Sequence, residues 1–163
     1  MKLKIVHKSY SCAPQTKGEL KEIIKKRLDQ DPNADLNDIN VSNITDMSRL
    51  FDGLYPHNID ISKWDVSNVK HMQDMFWSCN NFTSDLSAWD VSNVIDMRNM
   101  FAYCTNFNSD LSSWNVSNVR NMRNMFAYCK KFNSDLSNWD VSNVQDMHYM
   151  FDGCDSMNEI PMW

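Results

Sequence analysis

Five cysteines raise the first chemical question, because Cys79, Cys104, Cys129 and Cys154 recur at intervals of 25 residues while Cys12 stands apart. A column of thiols invites zinc binding or disulfide formation. Zinc needs four ligands converging tetrahedrally on one point, whereas a straight column at strand-ladder spacing sets its outer members about 14 Å apart. Parallel Cβ vectors on stacked units and the lack of a secretory signal both work against bridging. The column therefore predicts small, buried, free thiols. His7, His57, His71 and His148 share no motif, and no Gly-rich phosphate loop, Gly-x-Ser-x-Gly or His-Glu-x-x-His sequence occurs. Catalysis combines different groups at one point, and an array that offers the same group repeatedly does not. The expectation is a chain without enzymatic activity, cofactor or metal.

The carboxylates and aromatic residues also fall into columns. Asp35, Asp60, Asp85, Asp110 and Asp135 form one, in which like charges crowd unless each accepts a turn amide, and the clustered loop ligands of a calcium motif are missing. A second holds Asn40, Asp65, Asp90, Asn115 and Asp140. It lies between an inward Trp and an inward Val, so it points outwards, and Asp65, Asp90, Asn115 and Asp140 are the first candidate binding surface. A second candidate surface is Trp77, Tyr103 and Tyr128, at positions that vary between otherwise similar units.

These columns exist because the chain repeats itself. Trp64-Asp-Val-Ser-Asn-Val69 returns at Trp89, Trp114 and Trp139, Ile39 opens the same motif, and residues 89–113 and 114–138 agree at 19 of 25 positions. Leu136, Trp139 and Val141 carry strand-like spacing, and Val144, Met147, Met150, Phe151 and Cys154 mark one face of a short helix. Asn143, with Asp146 three residues on, resembles a helix N-cap that accepts first-turn amides. The predicted fold is an α/β-type solenoid, a right-handed stack of five 25-residue units starting near 39, 64, 89, 114 and 139. Each unit would hold a short strand and a short helix or 3₁₀ turn, with Met and Trp columns as core. An N-terminal strand and amphipathic capping helix occupy 1–34, the repeats 35–158 and a truncated C-terminal unit 159–163. In the cap, Leu20, Ile23, Ile24 and Leu28 form a stripe beneath an outer face of Lys17, Lys21, Glu22, Lys25 and Arg27, and Lys2–His7 reads as an extra strand.

The formal charge of −5 divides unevenly, since residues 1–30 hold eight Lys/Arg against three Asp/Glu and residues 31–163 eight against eighteen. An acidic array repels phosphate backbones, so no nucleic-acid partner is expected. No apolar run is long enough for a membrane span or signal peptide, which with free cysteines favours the cytoplasm.

The unit Trp89-Asp-Val-Ser-Asn-Val-x-x-Met-x-x-Met-Phe-x-x-Cys-x-x-Phe-Asn-x-Asp-Leu-Ser112 resembles the repeat of BspA-type leucine-rich-repeat surface proteins and of mycoplasma lipoproteins. That resemblance implies a leucine-rich-repeat-like stack, display at the cell surface and contact with a host, without enzymatic activity. The expected function is a non-catalytic module for protein–protein interaction or adhesion, presenting an extended acidic strand face to a basic or amide-rich protein. Such a chain is a monomer or self-associates weakly. The alternative is a structural element whose basic cap meets the acidic array of another copy in head-to-tail assemblies.

Overall fold

The computed structural model describes residues 9–163, and the strand expected over Lys2–His7 lies outside the described residues. Helix α1 spans Lys17–Gln30. Extended Thr16 starts it, its Oγ1 accepting the Glu19 amide at 3.2 Å, while the Glu19 carboxylate accepts the Gln15 amide at 2.7 Å. It ends at Asp31, which precedes Pro32 and is therefore held out of the helical region, at φ −147° and ψ 109°. Leu20 and Ile24 are fully buried, and Ile23 and Leu28 pack against the same core.

Lys17, Lys21 and Arg27 do not share an outward face with Glu22 and Lys25 but turn onto the first repeat. Lys17 Nζ donates to Asp46 Oδ2 and Ser48 Oγ, both at 2.7 Å. Lys21 Nζ donates to the carbonyls of Arg49 and Asp52 at 3.3 and 2.9 Å, and Arg27 to Asp38 Oδ2 at 2.8 Å. The hydroxyl of Ser11, and after it the guanidinium of Arg27, hold the Asp38 carboxyl below its usual range. The helix thus closes the N-terminal end of the repeats with three cations.

The repeats themselves correct the expectation of an α/β solenoid built from five strand-plus-helix units. Among the described residues α1 is the one helix, no continuous strand forms, and pairing is confined to six isolated parallel bridges. The reason lies in the turns. Over 72–79, where apolar spacing predicts a helix, the bonds close i to i+3: Met75 N to Met72 O, Trp77 N to Asp74 O and Cys79 N to Phe76 O. Asp74 and Ser78 are left-handed, at φ 57° and 59°, as are Asn99, Tyr103, Asn124 and Tyr128 at the same unit positions. A left-handed residue at every fourth position stops a right-handed helix from propagating and leaves a chain of turns. Likewise Trp139 N closes onto Leu136 O and Val144 N onto Val141 O, so the chain bends on both sides of the Trp–Val pair instead of extending.

What replaces sheet and helix is a set of hydrogen bonds directed from each unit to the next. The amides of Met72, Asp74, Phe76 and Ser78 donate to the carbonyls of Asp96, Arg98, Met100 and Ala102 at 2.9–3.0 Å. The pattern repeats from Met97, Asn99, Phe101 and Tyr103, and again from Met122, Asn124, Phe126 and Tyr128. Side chains add bonds in the return direction. Trp64, Trp89, Trp114 and Trp139 donate their indole N–H to Leu36, Ile61, Leu86 and Leu111 carbonyls at 2.9–3.1 Å. Asn68, Asn93, Asn118 and Asn143 donate to the preceding unit's Ser carbonyl at 2.7–2.9 Å, so this column links units and does not cap helices as expected.

The core is one continuous cluster. Met72, Met97 and Met122, with Phe76, Phe101 and Phe126, are fully buried. Rings of the Phe column lie 5.5 and 5.6 Å apart and within 5° of parallel, close to the rung spacing of a backbone ladder. Phe82, Phe107 and Phe132 stack against them at 4.1–4.2 Å.

Candidate interaction surface

The same turns that exclude a helix decide which side chains reach the surface. The second left-handed position of the unit is Gly53 in the first repeat and Gly153 in the fifth, but Ser78, Tyr103 and Tyr128 between them. Glycine takes this conformation without steric cost, whereas tyrosine loses about 1 kcal/mol or more there. Tyr103 and Tyr128 are thereby presented outwards, 44% and 39% exposed, with rings stacked at 4.9 Å and 5°. Trp77 and Tyr149 extend the row, and together with Asn99, Asn124 and Asp152 these residues line a cleft of about 390 Å³.

The cleft combines aromatic faces with fixed polar groups. Asn124 Nδ2 donates to Asn99 Oδ1 at 3.0 Å, and Asn99 Nδ2 to Asp74 Oδ1 at 2.8 Å, so the amides are oriented in series. The Asp152 carboxylate, by its charge and its hydrogen bond, raises the Tyr128 phenol above the usual tyrosine range. Arg123 places its guanidinium 5.8 Å from the centre of the Tyr149 ring, a cation–π contact within the row. Trp77, Tyr103 and Tyr128 are therefore brought together on one surface. Tyr149, Asn99 and Asn124 join them unforeseen by sequence reasoning. They share one left-handed unit position with Arg49 and Asp74, and the Asp and Asn at 74, 99 and 124 were the signal, since those types tolerate that region best.

Asp65, Asp90, Asn115 and Asp140 form an exposed row that does not contribute to this cleft. Each folds back onto its own turn, with Oδ1 accepting the amide of Ser67, Ser92, Ser117 or Ser142 at 3.0–3.1 Å. Bonds from Ser92 and Ser142 lower the Asp90 and Asp140 carboxyls below their usual range. The column that begins at Asp35 does the same through Ser62, Ser87, Ser112 and Ser137, each at 2.9 Å. Side-chain acceptance at i+2 is how Asx turns are made, and asparagine serves equally well, as Asn115 shows. The acidic columns are built first as turn formers.

The cysteines are free; Cys79, Cys104 and Cys129 are buried and Cys154 half-buried. Cys104, Cys129 and Cys154 donate S–H to Phe76, Phe101 and Phe126 carbonyls at 2.9–3.0 Å, the thiol counterpart of the indole bonds. Burial pushes the Cys79 thiol up to about 12 and that of Cys154 to about 11, with Cys104 and Cys129 also raised. Among the described residues no three His, Cys, Asp or Glu side chains gather as a metal-holding group.

A core of repeated columns, bonded unit to unit and carrying an aromatic row on its surface, defines the chain as a repeat protein. Its sequence matches a family model described as "Mycoplasma protein of unknown function, DUF285" over residues 19–110 and again over 79–163. The chain belongs to that family. No curated protein and no solved structure matches it.

Proposed function

We propose that this protein is a non-catalytic interaction module that captures a protein partner through the row Trp77, Tyr103, Tyr128 and Tyr149. The observation that carries the reading is the placement of tyrosine at left-handed positions where the first and fifth units have glycine, at a conformational cost that buried packing does not return. Exposed Trp and Tyr over a shaped cleft supply large contact area at low side-chain entropy, as interface anchors do. The charge of residues 31–163 and the Arg123–Tyr149 contact favour a partner that brings Arg or Lys to these rings. The likeness of the unit to repeats of BspA-type surface proteins supports the same kind of role, adhesion included.

The acidic row of Asp65, Asp90 and Asp140 supports a second reading, steering of a basic partner by charge, because all three residues are exposed. Two triple variants, each verified as folded by its circular dichroism, separate the two. Bait protein is exposed to a host-cell surface extract and to a cytoplasmic extract, and captured protein is quantified. With Trp77, Tyr103 and Tyr128 changed to Ala, capture should fall by at least about thirtyfold, the loss of one hot spot. With Asp65, Asp90 and Asp140 changed to Lys, it should stay within about threefold at physiological salt, where exposed charges are screened. The reverse pattern would move the site to the acidic row, and no capture by the unaltered protein would remove the proposal.

A further inference from the structure

The polar groups of the aromatic cleft are set as acceptors. Asp74, Asn99 and Asn124 hold one position in the second, third and fourth units, and each amide donates to the unit before it, Asn124 to Asn99 Oδ1 at 3.0 Å and Asn99 to Asp74 Oδ1 at 2.8 Å. The fifth unit has Tyr149 at that position, so no further amide follows. Asn124 Oδ1, which borders the cleft, therefore accepts no hydrogen bond among the described residues. Asp152 adds a carboxylate, the one charge among the residues that line the cleft. Its hydrogen bond with Tyr128 uses one acceptor site of a group that offers about four.

A contact within the chain shows what such a surface accepts. Arg123 holds its guanidinium 5.8 Å from the centre of the Tyr149 ring and 3.9 Å from the Asp146 carboxylate, so an arginine between a ring and a carboxylate already occurs beside the cleft. Inside the cleft the same two kinds of group, the rings of Tyr128 and Tyr149 and the carboxylate of Asp152, stand together without a cation among the lining residues.

We infer that the cleft seats an arginine side chain of the protein partner, its guanidinium against the tyrosine rings and its N–H groups directed at Asp152 and Asn124 Oδ1. The inference rests on the aromatic row being the capture site, and it names the group captured there. A planar guanidinium stacks on a ring while donating five N–H groups in its own plane, so it meets a ring and two separate acceptors at once. The ammonium of lysine is a compact, strongly hydrated charge with three donors and does not match that combination. Phosphate, sulfate and acidic sugars are repelled by Asp152 and by the eighteen Asp/Glu that face eight Lys/Arg over residues 31–163. An uncharged ligand would take water from Asp152 without answering its charge.

The test titrates the full chain with the peptide acetyl-Gly-Gly-Arg-Gly-Gly-amide and follows the Asn124 side-chain amide and the Trp77 indole by NMR. Both signals should shift. The same peptide with citrulline, which keeps the shape but carries an uncharged urea group, should bind at least about tenfold more weakly, as should follow from losing charge-assisted hydrogen bonds. Asp152→Asn should weaken the arginine peptide by about tenfold, while Asp155→Asn, an exposed carboxylate outside the cleft, should leave it within about threefold. No shift at about 10 mM arginine peptide, or equal binding of the citrulline or a lysine peptide, would overturn the arginine seat, and so would an equal loss with Asp155→Asn. The peptide comparison needs no variant, so it decides the matter even if Asp152→Asn fails to fold. Competition separates the arginine seat from the aromatic row itself, since excess arginine peptide should release partner captured from extract. Capture that is lost when Trp77, Tyr103 and Tyr128 become Ala but withstands the peptide would leave the row standing and overturn the arginine seat. Capture that survives the triple variant would overturn both.

Discussion

Replacing Phe126 with Ala asks whether the stacked column is the source of stability. Phe126 is fully buried and sits against Phe101 at 5.6 Å, Phe132 at 4.1 Å and Phe151 at 5.9 Å. Removing a buried ring costs its transfer free energy, and leaves a cavity that neighbours fixed by backbone bonds on both sides cannot collapse into. Each lost ring pair adds about 0.5–1.5 kcal/mol. The expected loss is at the upper part of the 3–5 kcal/mol range for Phe→Ala. Phe151, chemically identical in the next unit, is half-buried and has its next neighbour only in Trp163, so Phe151→Ala should cost roughly half as much. Urea unfolding followed by tryptophan fluorescence measures both, since Trp139 lies 6.3 Å from Phe126. Amide exchange then shows whether units on either side of Phe126 open together, as nearest-neighbour coupling requires. Equal losses for the two variants, or a loss below about 1 kcal/mol for Phe126→Ala, would refute the reasoning.

Two further outcomes follow from the turns and the thiols. Gly53 and Gly153 share a unit position and left-handed conformation, at φ 76° and 68°, but a Cβ at Gly53 meets nothing within 4 Å while one at Gly153 lies 2.6 Å from Tyr128 Cδ1. Gly53→Ala should cost about 1 kcal/mol in urea unfolding, and Gly153→Ala at least about 1 kcal/mol more through displacement of Tyr128, with equal costs refuting the ring's position. Cys79, with its thiol pushed up to about 12, should react with a thiol reagent orders of magnitude more slowly in folded protein at pH 8 than in denaturant, and Cys154, at about 11 and half-buried, should react before it; a Cys79 that reacts first would contradict the buried column.

Which residues are core was legible in the sequence, because burial follows composition and a strict period. Met47 to Met122, Trp64 to Trp139 and Cys79 to Cys129 lie buried where a repeat of 25 places them, although Met147 of the same column is 36% exposed, and the helix over Lys17–Gln30 carries its own N-cap and apolar stripe. Secondary structure within the unit was not legible. Steps of three and four residues between apolar side chains arise from a helix and equally from consecutive i to i+3 turns, and only backbone dihedrals tell them apart. Asp74, Asn99 and Asn124 tolerate the left-handed region by type, but Arg49, Tyr103 and Tyr128 carry no such mark, and their conformation is imposed by units on either side.

The sequence alone, then, determined the period, the membership of the core, the acidic array and the capping helix, since each depends on residue type and order along the chain. The tertiary structure decided where hydrogen-bonding groups go. Backbone amides that a helix would satisfy locally are satisfied by the next unit, and that exchange is a property of two units in contact. For the same reason the carboxylates of Asp65, Asp90 and Asp140 fold onto their own turns, and Tyr149, Asn99 and Asn124 converge with Trp77, Tyr103 and Tyr128.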